Sequence, residues 1–451
     1  MTALPIDYSL LARYNRPGPR YTSYPPVPNW QNSFTSQHFF QALDQLAQSP
    51  NEPISLYVHL PFCAERCYYC GCNATVTRHS HVVDRYLDCL EREITLVSER
   101  LGTRRKAIQL HWGGGTPNFL SNEQMNRLFE LLSRRFELLP EAEISIEVDP
   151  RIGTAQQMHH LRQLGFNRIS LGVQDIDPEV QRAIGRIQPR EQTELLFWAC
   201  REYGFKSINL DLIYGLPFQN QQTFANTLEC VLKLGPDRVA CYSYAHLPRS
   251  RPNQKQVDIS VMPSTEEKFS LFCQAIEAFQ AAGYQWIGMD HFARENDELT
   301  HAMREKRLHR NFMGYTVQPS QHLLAFGCSA ISEFAGCYSQ NDAKLGNYQR
   351  AIEAGELPIV RGHQLSDDDK ERQRAITHLM CNMELPYTIV TERMQADLER
   401  IRSYQAEGFI EVEPDRLTVT PKGRFFIRNI CMELDAYLPA LRDKPLFSST
   451  I

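Results

Sequence analysis

From about residue 54 onward, short apolar runs and longer amphipathic segments alternate six times, and this restricts the fold more than any other feature of the sequence. The runs are ISLYVHL (54–60), AIQLHW (107–112), EISIEV (143–148), RISLGV (168–173), SINLDLI (207–213) and RVACYSY (238–244). Segments 84–101, 122–136, 155–164 and 222–234 between them carry the apolar spacing of helices buried on one face. Six consecutive βα units imply a parallel sheet covered by helices, either an open doubly wound sheet or a full or partial barrel. The strand ends favour a barrel. Each is followed by a polar or glycine-rich tip: a cysteine loop, GGGTP, Glu147 with Asp149, Gln174 with Asp175, YGLP and AHLP. In a βα barrel such carboxyl-terminal tips build one shared site. The expected fold is α/β, a partial (β/α)6 TIM-like barrel over residues 51–290.

The flanks read differently. Residues 1–50 form an N-terminal arm whose RYNRPGPRYTSYPPVPNW stretch predicts irregular, extended backbone. Residues 291–364 extend the barrel and link it onward, with YQWIGMDHF at their border and LLAFGCSAIS within them as further strands. Residues 365–451 predict a small, mainly helical, winged-helix-like domain. Its first helix starts at Ser366, FIEVEPDRLTVT forms a hairpin, and GRFFIRNICMELDAYL closes it as a helix. From Ser366 onward 12 Lys/Arg face 15 Asp/Glu, where a DNA-binding wing would be basic. The whole chain carries a net charge of −5, so nucleic acid is not an expected partner. No signal peptide is read at the N-terminus, and no run approaches the ~20 apolar residues of a membrane helix. The expectation is a cytoplasmic protein that meets no membrane, in a compartment where thiols stay reduced.

That compartment matters for CAERCYYCGC, residues 63–72, which holds four cysteines in ten positions. A disulfide staple, a zinc knuckle and an iron–sulfur cluster are the candidates. Reducing conditions disfavour the first, and no second C-x2-C or H-x3-H lies downstream for zinc. The C-x3-C-x2-C spacing of Cys63, Cys67 and Cys70 differs from ferredoxin runs. Three thiolates would leave one iron of a four-iron cluster open to a small molecule. Cys72 follows after a single glycine. In extended backbone it points away from the side that Cys70 faces, toward a pocket.

With Tyr69 before the third cysteine, the loop resembles that of the radical S-adenosylmethionine enzymes, which carry it after the first barrel strand. HWGGGTP then matches that superfamily's glycine motif, and Glu147 a cofactor-binding carboxylate. At finer grain, PGPRYTSYPP, SLYVHLPFC, CYYCGCN, LHWGGGTP, AEISIEVDPR, LGVQD, LDLIYGLP, YAHLP, GMDHFAR and VTPKGRFFIRNIC are similar to the oxygen-independent coproporphyrinogen III oxidase family. That resemblance covers nearly the whole chain. It implies oxidative decarboxylation of two propionates of coproporphyrinogen III, giving protoporphyrinogen IX, through a 5′-deoxyadenosyl radical. A [4Fe-4S] cluster would sit on Cys63, Cys67 and Cys70, with S-adenosylmethionine on its free iron.

By the same resemblance, Tyr57, Gly114, Glu147 and Ile331 contact the first S-adenosylmethionine. Tyr69, Gly115, Thr116, Gln174, Arg186, Asp211 and Ala245 contact a second molecule, with Arg186 offering its fork to a carboxylate. Cys72 and Tyr57 are the catalytic candidates. Read without the resemblance, Arg186 is a solvated helix-end charge, Ala245 and Ile331 are packing, and His59 has no assignment. Arg16 and Arg20 of the arm are placed to pair with substrate carboxylates. Met313 stands where the family commonly has glutamine. The expected partners are coproporphyrinogen III and an unidentified electron donor and acceptor, with the protein a monomer. The alternative is a haem-binding carrier or chaperone paralogue. It would have an aromatic at the Cys72 position and a shorter N-terminus, so Cys72 and the long arm favour the enzyme. A radical RNA-modifying enzyme would want a basic appendage, which the acidic tail lacks.

Overall fold

The computed structural model describes residues 8–318, 320–441 and 447–450. Its contacts divide the chain into two units, each assembled from separate segments. One comprises 31–263 with 318–364. The other comprises 1–30, 264–317 and 365–451.

The first unit holds the alternation. Its strands are β1 (Ile54–Leu60), β2 (Lys106–Gly114), β3 (Glu137–Val148), β4 (Arg168–Gln174), β5 (Ser207–Tyr214) and β6 (Arg238–Ser243), each parallel to the next. Helices α1 (Ser80–Leu101), α2 (Asn122–Arg135), α3 (Ala155–Leu164), α4 (Arg190–Glu202) and α5 (Gln221–Leu234) make crossovers. Their ends have local causes. Ser121 opens α2 through a reciprocal capping box with Gln124, and Asn220 accepts from two N–H groups at the start of α5. Gly102, Gly165 and Gly235 terminate α1, α3 and α5 in the left-handed conformation. Six of the seven β1 residues are buried, as a strand covered on both faces requires.

A seventh parallel strand completes this set. β7 (Leu323–Phe326) pairs with β1 through Leu56 and Leu324, and β8 (Ile331–Phe334), β9 (Cys337–Asn341) and β10 (Ile359–Gln364) continue antiparallel beyond it. The sheet order in this unit is β10-β9-β8-β7-β1-β2-β3-β4-β5-β6. LLAFGCSAIS therefore supplies strands of the main sheet, where the sequence suggested an extension after residue 290. At four residues, all buried, β7 carries no alternation to mark it.

The second unit interleaves three stretches of chain. Tyr284–Gly288 and His291–Arg294 pair as an antiparallel hairpin, so YQWIGMDHF folds here. A core of Ile287, Ala293, Leu299, Ala302, Leu308, Tyr315 and Cys381 joins residues 284–315 to the helix Asp367–Asn382, which Ser366 caps as expected. The expected hairpin forms between Ile410–Val412 and Arg416–Val419. The closing helix is shorter than its sequence pattern, a 3-10 turn at Gly423–Phe426 and then Ile427–Met432. The arm is irregular at residues 15–26, but helices Tyr8–Tyr14 and Ser36–Ala47 flank that stretch. Tyr21 is buried and donates to Asp435 (3.0 Å), and Arg428, 5% exposed, donates to the carbonyls of Pro19 and Ser449. The arm up to Trp30 and the C-terminal segment thus belong to one unit, whereas the helix Ser36–Ala47 belongs to the first. Residues 1–7 of the arm and 442–446 of the C-terminal segment lie outside the described residues.

Candidate active site

The cysteine loop leaves the carboxyl end of β1. Cys63 lies on a two-residue strand, Phe62–Cys63, paired with Thr75–Val76. Cys67 and Cys70 lie on a turn closed by the Cys70 N–H donating to the Cys67 carbonyl (3.3 Å). All four cysteines line one cavity of about 350 Å³, near the low end for small-molecule pockets (roughly 300–1,000 Å³). Tyr69, Gly114, Gly115, Thr116, Glu147, Gln174, Arg186 and Asp211 line it too. Residues from six separate stretches of sequence converge there. Tyr57, Ala245 and Ile331 are outside its lining. Tyr57 stacks on His111 within the sheet, and Ile331 of β8 pairs with Gln340 of β9.

Cys72 lines the cavity, but it does not point away from Cys70 as the spacing implied. A turn at Tyr68–Tyr69 and a bend at Cys72 break the extended backbone that the spacing argument assumed. Cys70 and Cys72 therefore share the cavity, and the Cys72 N–H lies 3.4 Å from the Cys70 sulfur. A hydrogen bond from the Cys72 thiol, joined by its N–H and by Arg66 and Arg186, outweighs burial and brings Cys70 down to about 6. The same bond pushes Cys72 up, although that residue is exposed to solvent. Burial raises Cys63 to about 11, partly offset by Thr116, whose Oγ1 lies 3.2 Å from its sulfur.

Among the described residues, no group of three or more His, Cys, Asp or Glu side chains gathers closely enough for a single metal ion. The three thiols are instead spread around a cavity. Arg151 and Arg186 approach the Cys67 sulfur at 3.5 and 3.7 Å. Spread thiols beside two guanidinium groups fit an anionic four-iron cluster, in which each thiolate meets a different iron.

The tips of β2 and β3 form the next wall. Gly114 sits at φ +120°, and a Cβ there would come within 2.7 Å of the His59 ring. Its N–H donates to Glu147 Oε2 (3.0 Å), and His111 Nε2 lies 3.5 Å from Oε1. Burial opposes the Glu147 charge, but His111 and the Gly114 N–H hold the carboxyl below its ordinary range. Its side chain still faces the cavity, 45% exposed. His59 Nε2 lies 3.0 Å from the Asn73 carbonyl and so carries the proton, leaving Nδ1 to accept from the Tyr57 hydroxyl at 3.1 Å. The unassigned histidine thus ties the β1 tip to the end of the cysteine loop. Asp211 on β5 accepts from Ser170 (2.9 Å) and Asn209 (2.8 Å). Burial and then the Glu147 charge raise it to about 7.

Arg186 is neither a solvated charge nor an open fork. Its two terminal nitrogens bind both oxygens of Asp149 (3.1 and 3.0 Å), while Nε donates to Gln188 and Nη2 to the Gly172 carbonyl. Arg151 donates to the same Asp149 carboxylate (2.7 Å). Sequence reasoning placed Asp149 at a strand tip without a role and passed over Arg151. The only signal was their adjacency in EVDPR at a strand end. Ser170 and Asn209 gave none. In the second unit, Arg20 pairs with Asp290, and Arg16 lies 3.5 Å from Glu433. The arm arginines expected to meet substrate are engaged there. Met313, at the turn of the hairpin His309–Asn311/Gly314–Thr316, donates its N–H to Asn311.

Residues 57–231 match the model of the radical SAM superfamily. The oxygen-independent coproporphyrinogen III oxidase of Escherichia coli is 44% identical over 99% of this chain and 98% of its own length. The enzyme of the same name from Synechocystis sp. is 41% identical over the same shares. The solved structure of the Escherichia coli coproporphyrinogen III oxidase, described as a radical SAM enzyme, covers 97% of this chain and is itself fully covered. Its TM-score is 0.91 at 42% identity. End-to-end similarity at this level, in a chain whose cysteine loop and strand tips meet at one cavity, settles the family. The chain belongs to the oxygen-independent coproporphyrinogen III oxidases of the radical SAM superfamily.

Proposed function

We propose that the chain catalyses the oxygen-independent oxidative decarboxylation of coproporphyrinogen III to protoporphyrinogen IX in haem biosynthesis, using a [4Fe-4S] cluster and S-adenosylmethionine. One observation carries this reading. Cys63, Cys67 and Cys70 meet the glycine tip and Glu147 at a single cavity, in a chain related end to end to such oxidases. Cys63, Cys67 and Cys70 hold the cluster. With S-adenosylmethionine bound beside them, cluster and cofactor would supply the radical chemistry that the oxidative loss of CO2 from a propionate needs.

The protein's part is binding, orientation and exclusion of water. Gly114, Glu147, Tyr57 and Ile331 serve the first S-adenosylmethionine. Gly114 brings bare backbone to the cavity, and Glu147, ionised, accepts from a cationic amine. Tyr69, Gly115, Thr116, Gln174, Asp211 and Ala245 serve a second molecule. Arg186, its fork closed on Asp149, acts there through charge. Cys72 keeps its proton while Cys70 gives one up, so the single-glycine spacing separates a ligand from a hydrogen donor that faces substrate. Tyr57, with its hydroxyl oriented by His59, is the second catalytic candidate.

The reading includes a cytoplasmic monomer served by a separate one-electron donor and an acceptor. None of the thirteen cysteines is joined in a disulfide, which suits a reducing compartment. No helix among the described residues is long and apolar enough to cross a membrane. Anaerobic reconstitution followed by assay for vinyl-bearing product and 5′-deoxyadenosine tests the activity, and gel filtration tests the monomer. Bound haem with neither product would favour the carrier.

A further inference from the structure

The cysteine loop is gripped from outside by a short turn that follows β6. Pro252–Gln256 form this 3-10 turn, preceded by Arg251. Asn253 Nδ2 donates to three loop carbonyls, those of Cys67 (3.2 Å), Tyr68 (3.0 Å) and Cys70 (2.9 Å). Gln254, only 2% exposed, donates to the carbonyls of Tyr69 (2.8 Å) and Ala245 (3.2 Å). Arg251 Nε donates to the Gly71 carbonyl (2.7 Å). Five successive carbonyls are thereby bound by three side chains from one turn.

This matters because a loop without a ladder of its own has no internal reason to keep one shape. Among the described residues, the backbone between Cys67 and Gly71 closes on itself through the Cys70 N–H and is tied outward by the Tyr68 N–H, which donates to the Ile184 carbonyl (2.9 Å). Three carbonyl oxygens converging on one NH2 group select an amide. A carboxylate there would face them with oxygen and no proton. The other end of Asn253 supports the same reading, since its Oδ1 is buried with no hydrogen-bond partner among the described residues. A buried acceptor left unmet is costly, so the donating end is the one the fold requires. Cys63, on its own strand pair, is held independently.

We infer that Arg251, Asn253 and Gln254 are positioning residues that set the shape of the cysteine loop before metal arrives. Asn253 fixes the Cys67–Cys70 half, and Gln254 ties Tyr69 to Ala245. The inference rests on the assignment of Cys63, Cys67 and Cys70 as cluster ligands. Losing Asn253 loosens the stretch that bears two of the three ligands, leaving the Tyr68 N–H on the Ile184 carbonyl and Gln254 on the Tyr69 carbonyl.

The test is Asn253→Asp in the full chain, read first by hydrogen–deuterium exchange of the metal-free protein. With three bonds lost, amides in 64–74 should exchange about tenfold or more faster, while those of α1 and β2 stay unchanged. After anaerobic reconstitution, iron per chain should fall below about half that of the parent, with an altered low-temperature EPR spectrum, since two of three ligands are misplaced. Unchanged exchange together with parental iron and EPR would overturn the inference. If Asn253→Asp fails to fold, Arg251→Leu removes one bond at a partly exposed position. It should speed exchange within 69–74, and no change there would also overturn it. The cluster assignment fails separately, if Cys70→Ser binds a full complement of iron. That result would leave the exchange of the metal-free protein untouched.

Discussion

Cys70 and Cys72 differ in what surrounds them more than in what they are. They share a cavity and a hydrogen bond, yet one thiol is pulled toward ionisation and the other away from it. Cys70→Ser should therefore lose the cluster. Cys72→Ser should retain full iron and lose decarboxylation by about 10²-fold, the usual scale for removing a positioned proton donor. Iron content, EPR and vinyl product on both variants check this. A metal-free Cys72→Ser protein would make Cys72 a ligand. Asp211 gives a pH prediction. Its carboxyl is raised to about 7 in the fold, against an ordinary value near 3.8. Between those values the folded protein keeps a proton that the unfolded chain releases. The stability this contributes is full at low pH and is lost as pH rises through about 7. Asp211→Asn should abolish that loss, so the variant gains relative to the parent between pH 5.5 and pH 8 in urea melts of the metal-free protein. S-adenosylmethionine binding by the parent should run the other way, strengthening as Asp211 ionises, and the variant should be weaker by about one order of magnitude and flat with pH. At this scale residue types were legible, and contacts were not. Arg186 reads as an open fork because its partner Asp149 lies 37 positions away in sequence. Asn253 gives no pattern at all, since side chains that bind backbone carbonyls leave no spacing behind.

Elements were the most readable level, because periodicity is a local property. All six strands of the alternation fall where their apolar runs lie, and α3 matches its segment at both ends. What failed was length and partnership. β3 starts six residues before its apolar run, through pairing of Glu137 and Leu138 with the start of β2. β7 is too short to show a period, and its neighbour, β1, was synthesised long before it. Where elements meet, bare backbone is required. Gly115 passes so close to the β1 end that a Cβ would lie 2.7 Å from the Pro61 carbonyl carbon, and its N–H donates to the Leu60 carbonyl. Gly115→Ala should push the β1 and β2 tips apart, costing roughly 1–3 kcal/mol by overpacking. Chemical denaturation would register the loss. Reconstituted iron should fall with it, because Thr116, next in sequence, is the partner of the Cys63 sulfur.

For the whole molecule, neither unit is a continuous stretch of chain. The sequence suggested four consecutive segments because composition changes along the chain, whereas cores are shared across it. The second unit depends on both ends. Removing residues 1–22 would take away the Pro19 and Gly18 carbonyls that accept from buried Arg428, and also the Tyr21 bond to Asp435. Leaving that guanidinium under-satisfied should cost about 1–3 kcal/mol and lower the first calorimetric transition. Faster hydrogen exchange in 424–432 would locate the effect, and an unchanged melt would refute it. The interleaving has a further consequence, in time. β1 cannot gain β7 until about 270 more residues have been made. At roughly 5–20 residues per second that is some 15–50 seconds of synthesis. Throughout it, the strand that carries the cysteine loop has one bare edge, open to mispairing with other chains. A nascent chain arrested before residue 320 should therefore aggregate on release more than one arrested after residue 364, which still lacks residues 365–451 of the second unit but has its β1 edge covered. Because β7 seals the strand that bears the loop, we expect cluster insertion to follow translation, and the cell to meet this protein first as a complete, metal-free chain.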